Sequence, residues 1–460
     1  MLRDSYAEDK VFAEIIQLVP KMGSGLAEID QYLEDDELFQ LIRADFSKRW
    51  KNTLLTGRNS TPVEVVLRML VVKRLYGYSY EETERIVNDS LTLRQCCRLY
   101  LNEAPDSKTI MRWNNLLRGE TLEKFNGRVA ELAVKHKITK GKKLRTDGTV
   151  VESNIHPPSD SRQLADSVRV LERTVQRARK VSQAIRAVVK GTGTQLTRKA
   201  RELARSIGEN AKKKVEAAKE TGRQLYRKLV EQTEEIVSQA RQTLPHLYKM
   251  SDKYAKRLVS TLENFIPLTE QVIDQTKRRV FQNEQVPAQK KIVSIFEPHT
   301  DIICRGKETK PVEYGRKIWL DEVDGGIVSR YCILDGNPPD AQQWQPSLKA
   351  HQKLFHHPPQ QASADRGVYA PDNEQLAQKM GVQRVILPKP GYKSKQRKTL
   401  ESRKWFVNGR KWHAGVEGRI SVLKRAHGLE RCLDHGENGF HRWVGWGIIA
   451  GNLAVMGRAT

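Results

Sequence analysis

No proline interrupts the chain between Pro158 and Pro245. Over the first part of that stretch Leu164, Val168, Leu171, Val175, Ala178, Ser182, Ile185 and Val189 recur at alternating spacings of four and three. This is the pattern of a helix burying one narrow seam against a partner helix. Gly191-Thr192-Gly193 then marks a turn, and a second seam runs through Val215, Ala218, Gly222, Leu225, Leu229, Ile236 and Ala240. The expectation is a basic helical, coiled-coil hairpin over residues 162–285, with a third helix after Pro245. Residues 161–290 hold 28 Lys and Arg against 14 Asp and Glu. Such a face is either a solvated spacer or an arm that grips a polyanion or a second copy. Either way the flanks must be parsed on their own.

Residues 1–140 read as all-helical. Thr61-Pro62 opens a helix, Gly77 closes it, and Ser79 with Glu82 has the capping-box spacing for the next. SLTLRQCCRLYL precedes PDSKTIMRWNNLLR, where Asp106 or Ser107 can cap a helix carrying Lys108, Arg112 and Arg118. A short helix, a turn and a capped basic helix have the order of a helix-turn-helix unit. Residues 141–161 change character: LRTDGTVVESN is β-branched and ends before Pro157-Pro158. After residue 286 strands return in KKIVSIFEPH, VEYGRKIWLDEV, IVSRYCILDGN and QQASADRGVYA, with Asp324-Gly325-Gly326 as a hairpin turn. NEQLAQKMG then predicts a helix ending at Gly381, followed by the strand VQRVILPK, which is α/β in kind.

The 80 Lys and Arg exceed the 55 Asp and Glu, for a net charge of +25. That excess favours a nucleic-acid partner, because each neutralised phosphate releases counterions. The five cysteines form no CxxC pair, which fits a reducing cytoplasm and argues against zinc fingers or a disulfide framework. No signal peptide is apparent, and Trp443–Met456 is too short and glycine-interrupted to span a bilayer, so it reads as a core helix and no membrane role is expected.

Three acids stand out by context. Asp147 lies within a strand, Asp365 at a strand end before Arg366-Gly367, and Glu417 on a helix in KWHAGVEGRISVLKRAHG. On that helix Val416, Ile420 and Leu423 share one face, with Glu417, Ser421 and Lys424 on the adjacent one and His413 a turn earlier. Carboxylates from separate elements can hold hard divalent cations that activate one oxygen and stabilise another in phosphoryl transfer. Lys424 can meet a phosphate without competing for metal. Glu152, Asp301, Asp321, Asp324 and Asp340 are alternatives by residue type alone.

The order TDGTVVESN, SADRGVY and VEGRISVLKR resembles the insertion-sequence DDE transposases with an RNase H-like core. LRTDGTVVESNIHPPSDSRQLADSVRVL and HAGVEGRISVLKRAHGLERC are most similar to the group called ISNCY. The resemblance covers most of the chain. It implies an RNase H-like catalytic core, residues 141–161 and 286–460, interrupted by the helical arm and preceded by a helical DNA-binding region. It implies that Asp147, Asp365 and Glu417 are catalytic and hold two Mg²⁺ ions, with Mn²⁺ as a substitute. The partners implied are double-stranded DNA, at the element ends and the target, and a second copy of the chain. The setting implied is the bacterial cytoplasm and nucleoid. ILDGNPPD is similar to a family stretch that brings Asp340 near the site, and ILPKPG places Lys389 after the next strand. Where relatives carry an Arg one turn before the Glu, this chain has His413, and Arg410 lies on the same face. Lys108, Arg112, Lys389, Arg410, His413 and Lys424 are the expected DNA contacts. An RNase H-like nuclease without strand transfer, and a non-enzymatic coiled-coil DNA-binding protein, are the alternative readings.

Overall fold

The computed structural model describes residues 1–19, 21–189, 195–213, 216–304 and 311–459. Its contacts divide the chain into two compact units, one of residues 1–154 with 316–460 and one of residues 155–315.

The first unit begins with α1 (Lys10–Ile16), α2 (Ser24–Tyr32), α3 (Asp36–Phe46), α4 (Val63–Tyr76), α5 (Tyr80–Asp89), α6 (Leu91–Cys96), α7 (Ser107–Asn114) and α8 (Gly119–Lys135). Local chemistry sets these bounds. Pro62 precedes α4, and Gly77 ends it in the left-handed region at φ 72°. Ser79 and Glu82 form the reciprocal capping box that starts α5. The Asp106 carboxylate accepts the Thr109 N–H at 2.9 Å to start α7. Arg118 is not on α7: it is the residue before α8, and its guanidinium pairs with the buried Asp45 at 2.9 Å. α4 is apolar almost all round and buried, as a central core helix must be.

β1 (Lys143–Glu152) follows, and the chain leaves for the second unit. That unit contains α9 (Asp160–Val181), α10 (Gln183–Val188), α11 (Gln195–Asn210), α12 (Glu216–Tyr248) and α13 (Lys253–Val280). The four long helices pack as a bundle, α9 against α11, α12 and α13, and α12 against α11 and α13. Its core includes Leu164, Leu171, Ala200, Leu229, Ile236 and Leu262. The expected hairpin with a third helix after Pro245 thus becomes four long helices and the short α10. Ser182 leaves helical geometry and caps α10, so the first seam is broken there. α12 runs through Pro245 into its last turn, so the next helix starts at Lys253 rather than at that proline. The Gly191-Thr192-Gly193 turn and Val215 lie outside the described residues.

KKIVSIFEPH forms no strand. The Ile292 carbonyl accepts from Gln163 at 2.9 Å and Gln275 at 3.0 Å, and its N–H donates to Gln275 at 2.9 Å. Glutamine side chains take the place of a neighbouring strand, while Ile292 and Ile295 join the helical core. The strand there is β2 (Asp301–Cys304), antiparallel to the start of β3 (Val312–Val323).

β3 carries the chain back into the first unit. β4 (Ile327–Ile333) pairs antiparallel with it across the Asp324-Gly325-Gly326 turn. Then come α14 (Trp344–Phe355), β5 (Gln361–Ala364), α15 (Pro371–Lys379), β6 (Arg384–Ile386), α16 (Lys395–Ser402), α17 (Lys404–Ala426) and α18 (Gly436–Met456). In this unit the sheet runs β4-β3-β1-β5-β6, with β1, β5 and β6 mutually parallel. α18 is the core helix expected from Trp443–Met456 and packs against α4 and α8. Among the described residues no helix is long and apolar enough to cross a membrane.

Candidate active site

β1 and β5 are adjacent and parallel, with Thr146 opposite Ala364. The next residue on each is an aspartate, Asp147 and Asp365. Two acids separated by 218 residues are thereby neighbours, Asp147 midway along β1 and Asp365 just past the end of β5. Burial, and then the charge of Asp365, push the Asp147 carboxyl up to about 6, and Asp340 adds to the effect. The Gly148 N–H, donating to Asp147 Oδ1 at 2.7 Å, opposes the rise. Asp365 moves the other way. His413 Nε2 lies 3.1 Å from its Oδ1, and that hydrogen bond holds the carboxyl below the usual range. Two neighbouring acids with opposite shifts form a site with unequal partners.

His413 comes from α17, which packs on β1, β5 and β6. Two glycines allow the approach. A Cβ on Gly409 would stand 2.6 Å from Ile386 Cγ1, and one on Gly415 2.3 Å from Arg145 Nη1. Arg145 ties three elements together: it pairs with Glu322 of β3 at 2.7 Å, donates to the Trp412 carbonyl at 2.6 Å, and lies 4.8 Å from the Trp412 ring centre. α17 is therefore fixed against the strands that carry the two aspartates.

Glu417, one turn beyond His413, is exposed. Val416 and Leu423 are buried beneath it, with Ile420 partly so. Among the described residues no group of three or more His, Cys, Asp and Glu side chains is arranged to hold a metal ion. The structure thus brings Asp147, Asp365 and His413 together and leaves Glu417 on the solvent side of the same helix. Asp340 pairs with Lys317 at 2.5 Å. Lys317 Cε would stand 3.0 Å from a Cβ on Gly148, so its chain passes beside the residue after Asp147.

The other expected contacts are dispersed. Lys108 and Arg112 are exposed on α7, and Arg410 is exposed on α17. Lys389 follows β6, half-buried, with its backbone N–H on Glu401 at 3.0 Å. Lys424 is half-buried near the end of α17. Among the alternative acids, Asp321 is buried with Arg330, Ser347 and Trp319. Asp324 accepts the N–H groups of Lys140 and Lys143 at 2.9 Å, and Glu152 pairs with Arg431 at 2.9 Å. These three hold the fold together. Lys317 and Arg145 were missed by sequence reasoning; the one signal was a cation placed within a strand.

Residues 13–116 match the family model described as a transposase domain, DUF772. The match supports a transposase family for the chain. With it comes a general expectation of an enzyme that cuts or recombines DNA. The matched segment spans α1 to α7 and so includes Lys108 and Arg112, while Asp147, Asp365 and Glu417 lie beyond it. No curated protein and no solved structure matches the chain.

Proposed function

We propose that this transposase is of the DDE type, cutting DNA at the ends of an insertion sequence and joining the freed 3′ ends to a target. The observation that carries the reading is the juxtaposition of Asp147 in β1 with Asp365, which directly follows the parallel neighbour β5, with the Asp147 carboxyl raised to about 6 partly by its neighbour's charge. The strand order β4-β3-β1-β5-β6, with the helical unit entered between β1 and β3, supports an RNase H-like core.

The donor set is partly suited to divalent metal. Asp147 and Asp365 offer hard oxygen ligands, and the burial and repulsion that raise Asp147 are what a cation such as Mg²⁺ or Mn²⁺ would relieve. Glu417 is the third carboxylate that the resemblance to the DDE transposases assigns to the pair of ions. When bound, such ions activate the attacking oxygen and stabilise the leaving one. The chain's own contribution is positional. His413 orients Asp365, Gly148 orients Asp147, and Arg145 locks α17 to the strands. Lys108 and Arg112 on α7 are exposed for contact with the element's ends, as is Arg410 on α17 for contact nearer the cut, where the half-buried Lys389 and Lys424 would add their charge. A second copy of the chain would bring two ends together.

The test is incubation of the full chain with labelled DNA flanking its own gene, with and without Mg²⁺. Asp147→Asn, Asp365→Asn and Glu417→Gln should each lose at least a hundredfold in cleavage and retain DNA binding. Strong cutting by one of them removes that residue from the site. Cleaved but never joined products would favour a nuclease instead.

A further inference from the structure

The segment after β6 combines a fixed loop with an aromatic ring that nothing covers. Tyr392 is 87% exposed. It follows Gly391, whose φ of 66° lies in the left-handed region that favours glycine. The loop is pinned from below by one buried acid. Glu401 of α16 takes the Lys389 N–H at 3.0 Å, Lys393 Nζ at 2.6 Å and Arg397 Nε at 2.8 Å. Arg397 is fixed in turn by two bonds to Glu374, at 2.8 and 2.9 Å, and by the Leu387 carbonyl. These donors draw the Glu401 carboxyl down to about 2 against the cost of its burial, so the pin stays ionised.

Position and charge add to this. β5 and β6 are parallel, so the chain leaves β6 for this loop at the sheet end where Asp365 follows β5. Lys395, Lys398, Arg403 and Lys404, beside the loop, are exposed, and Glu401 is the one acid between residues 384 and 411. An aromatic face in water beside a basic track matches the surface that binds unpaired nucleic acid. There the bases stack on rings while cations follow the backbone. In an intact duplex the base faces are covered by their neighbours, so the ring selects a base that has left the stack.

We propose that Tyr392 stacks on an unpaired base of the DNA strand next to the phosphate to be cut, with α16 and the start of α17 tracking the strand. The inference rests on the DNA-cutting reading for its location, but it is tested by binding alone. The full chain, without added metal, is titrated with two duplexes of one sequence, one blunt and one with a short unpaired fork containing 2-aminopurine. The native protein should favour the fork and change the 2-aminopurine emission. Tyr392→Ala should lose about tenfold in affinity for the fork, the scale of one stacked base, and little for the blunt duplex. Tyr392→Trp should keep the preference, and the salt dependence should be unchanged, since no charge is removed. Equal affinity of native and Tyr392→Ala for the fork, or an equal loss on both duplexes, overturns the proposal. A fork preference that needs Tyr392, in a protein that never cleaves with Mg²⁺, would sink the catalytic reading and leave this one standing.

Discussion

At the residue scale, the two aspartates should mark themselves by how stability responds to pH. An unperturbed aspartate titrates near ~4. Asp147 in the folded chain titrates at about 6, so the folded state holds its proton to higher pH than the unfolded state does. The group's cost is absent below pH ~4, grows between ~4 and ~6, and is fully present above. Asparagine keeps an acceptor for the Gly148 N–H and removes the charge. Asp147→Asn should therefore stabilise the metal-free protein by about 1–2 kcal/mol at pH 8, discounting the shift for partial solvation, and leave it unchanged at pH 4. Asp365 has the opposite sign. Its carboxyl is held low by His413, so it contributes stability above its unfolded value and loses it on acidification. Asp365→Asn should cost stability at pH 8. Urea titrations in EDTA at both pH values decide the matter, and a less stable Asp147→Asn at pH 8 would show that its charge is compensated.

At the element scale, the placement of α17 against the sheet is the part most open to test. Gly409 lies so close to Ile386 that a methyl group must push the helix or the strand aside. Ile386 is fully buried, so Gly409→Ala should cost about 1–3 kcal/mol by overpacking. Ile386→Ala removes the atoms that the new Cβ would meet. The double variant should accordingly be more stable than the sum of the two single losses, and strict additivity would show that the contact is relieved elsewhere. Much of this layout was legible in the sequence, because caps, glycines and periodicity are local. Asp106 starting α7, the Ser79 and Glu82 box and the Asp324-Gly325-Gly326 hairpin follow from chemistry within a few residues. What was not legible depends on partners distant in sequence. KKIVSIFEPH alternates like a strand, yet its backbone is taken up by glutamines from α9 and α13. Lys317 and Arg145 gain meaning once β3, β1 and α17 are neighbours. Tyr392 reads as an ordinary loop residue until its exposure is known. The apolar seams of residues 162–285 are legible as buried faces, but not the number of helices sharing them.

At the scale of the whole molecule, the N-terminal helices cannot be treated as a module apart. Arg74 of α4 donates to the carbonyls of His427 at 2.9 Å and Trp443 at 2.8 Å, and its guanidinium lies 4.1 Å from the Trp443 ring centre. Cutting the chain near residue 140 would expose that contact, so specificity for DNA ends has to be measured on the full chain. The helical unit offers a cleaner division, because residues 155–315 form a compact body of their own. The chain departs after β1 and returns in β3, and Gly148 of the one lies beside Lys317 and Trp319 of the other. A short Gly/Ser linker replacing the unit should therefore leave the first unit folded. Basic residues outnumber acidic ones by 28 to 14 over residues 161–290, and many are exposed. If they meet a duplex backbone, each phosphate neutralised contributes about −0.9 to the log–log slope of affinity against salt. Removing the unit should then flatten that slope by several units and weaken binding to all sequences alike, since phosphate contacts carry no base information. A deletion protein that keeps its circular dichroism and its salt slope would instead make the bundle a spacer or a contact between copies of the chain.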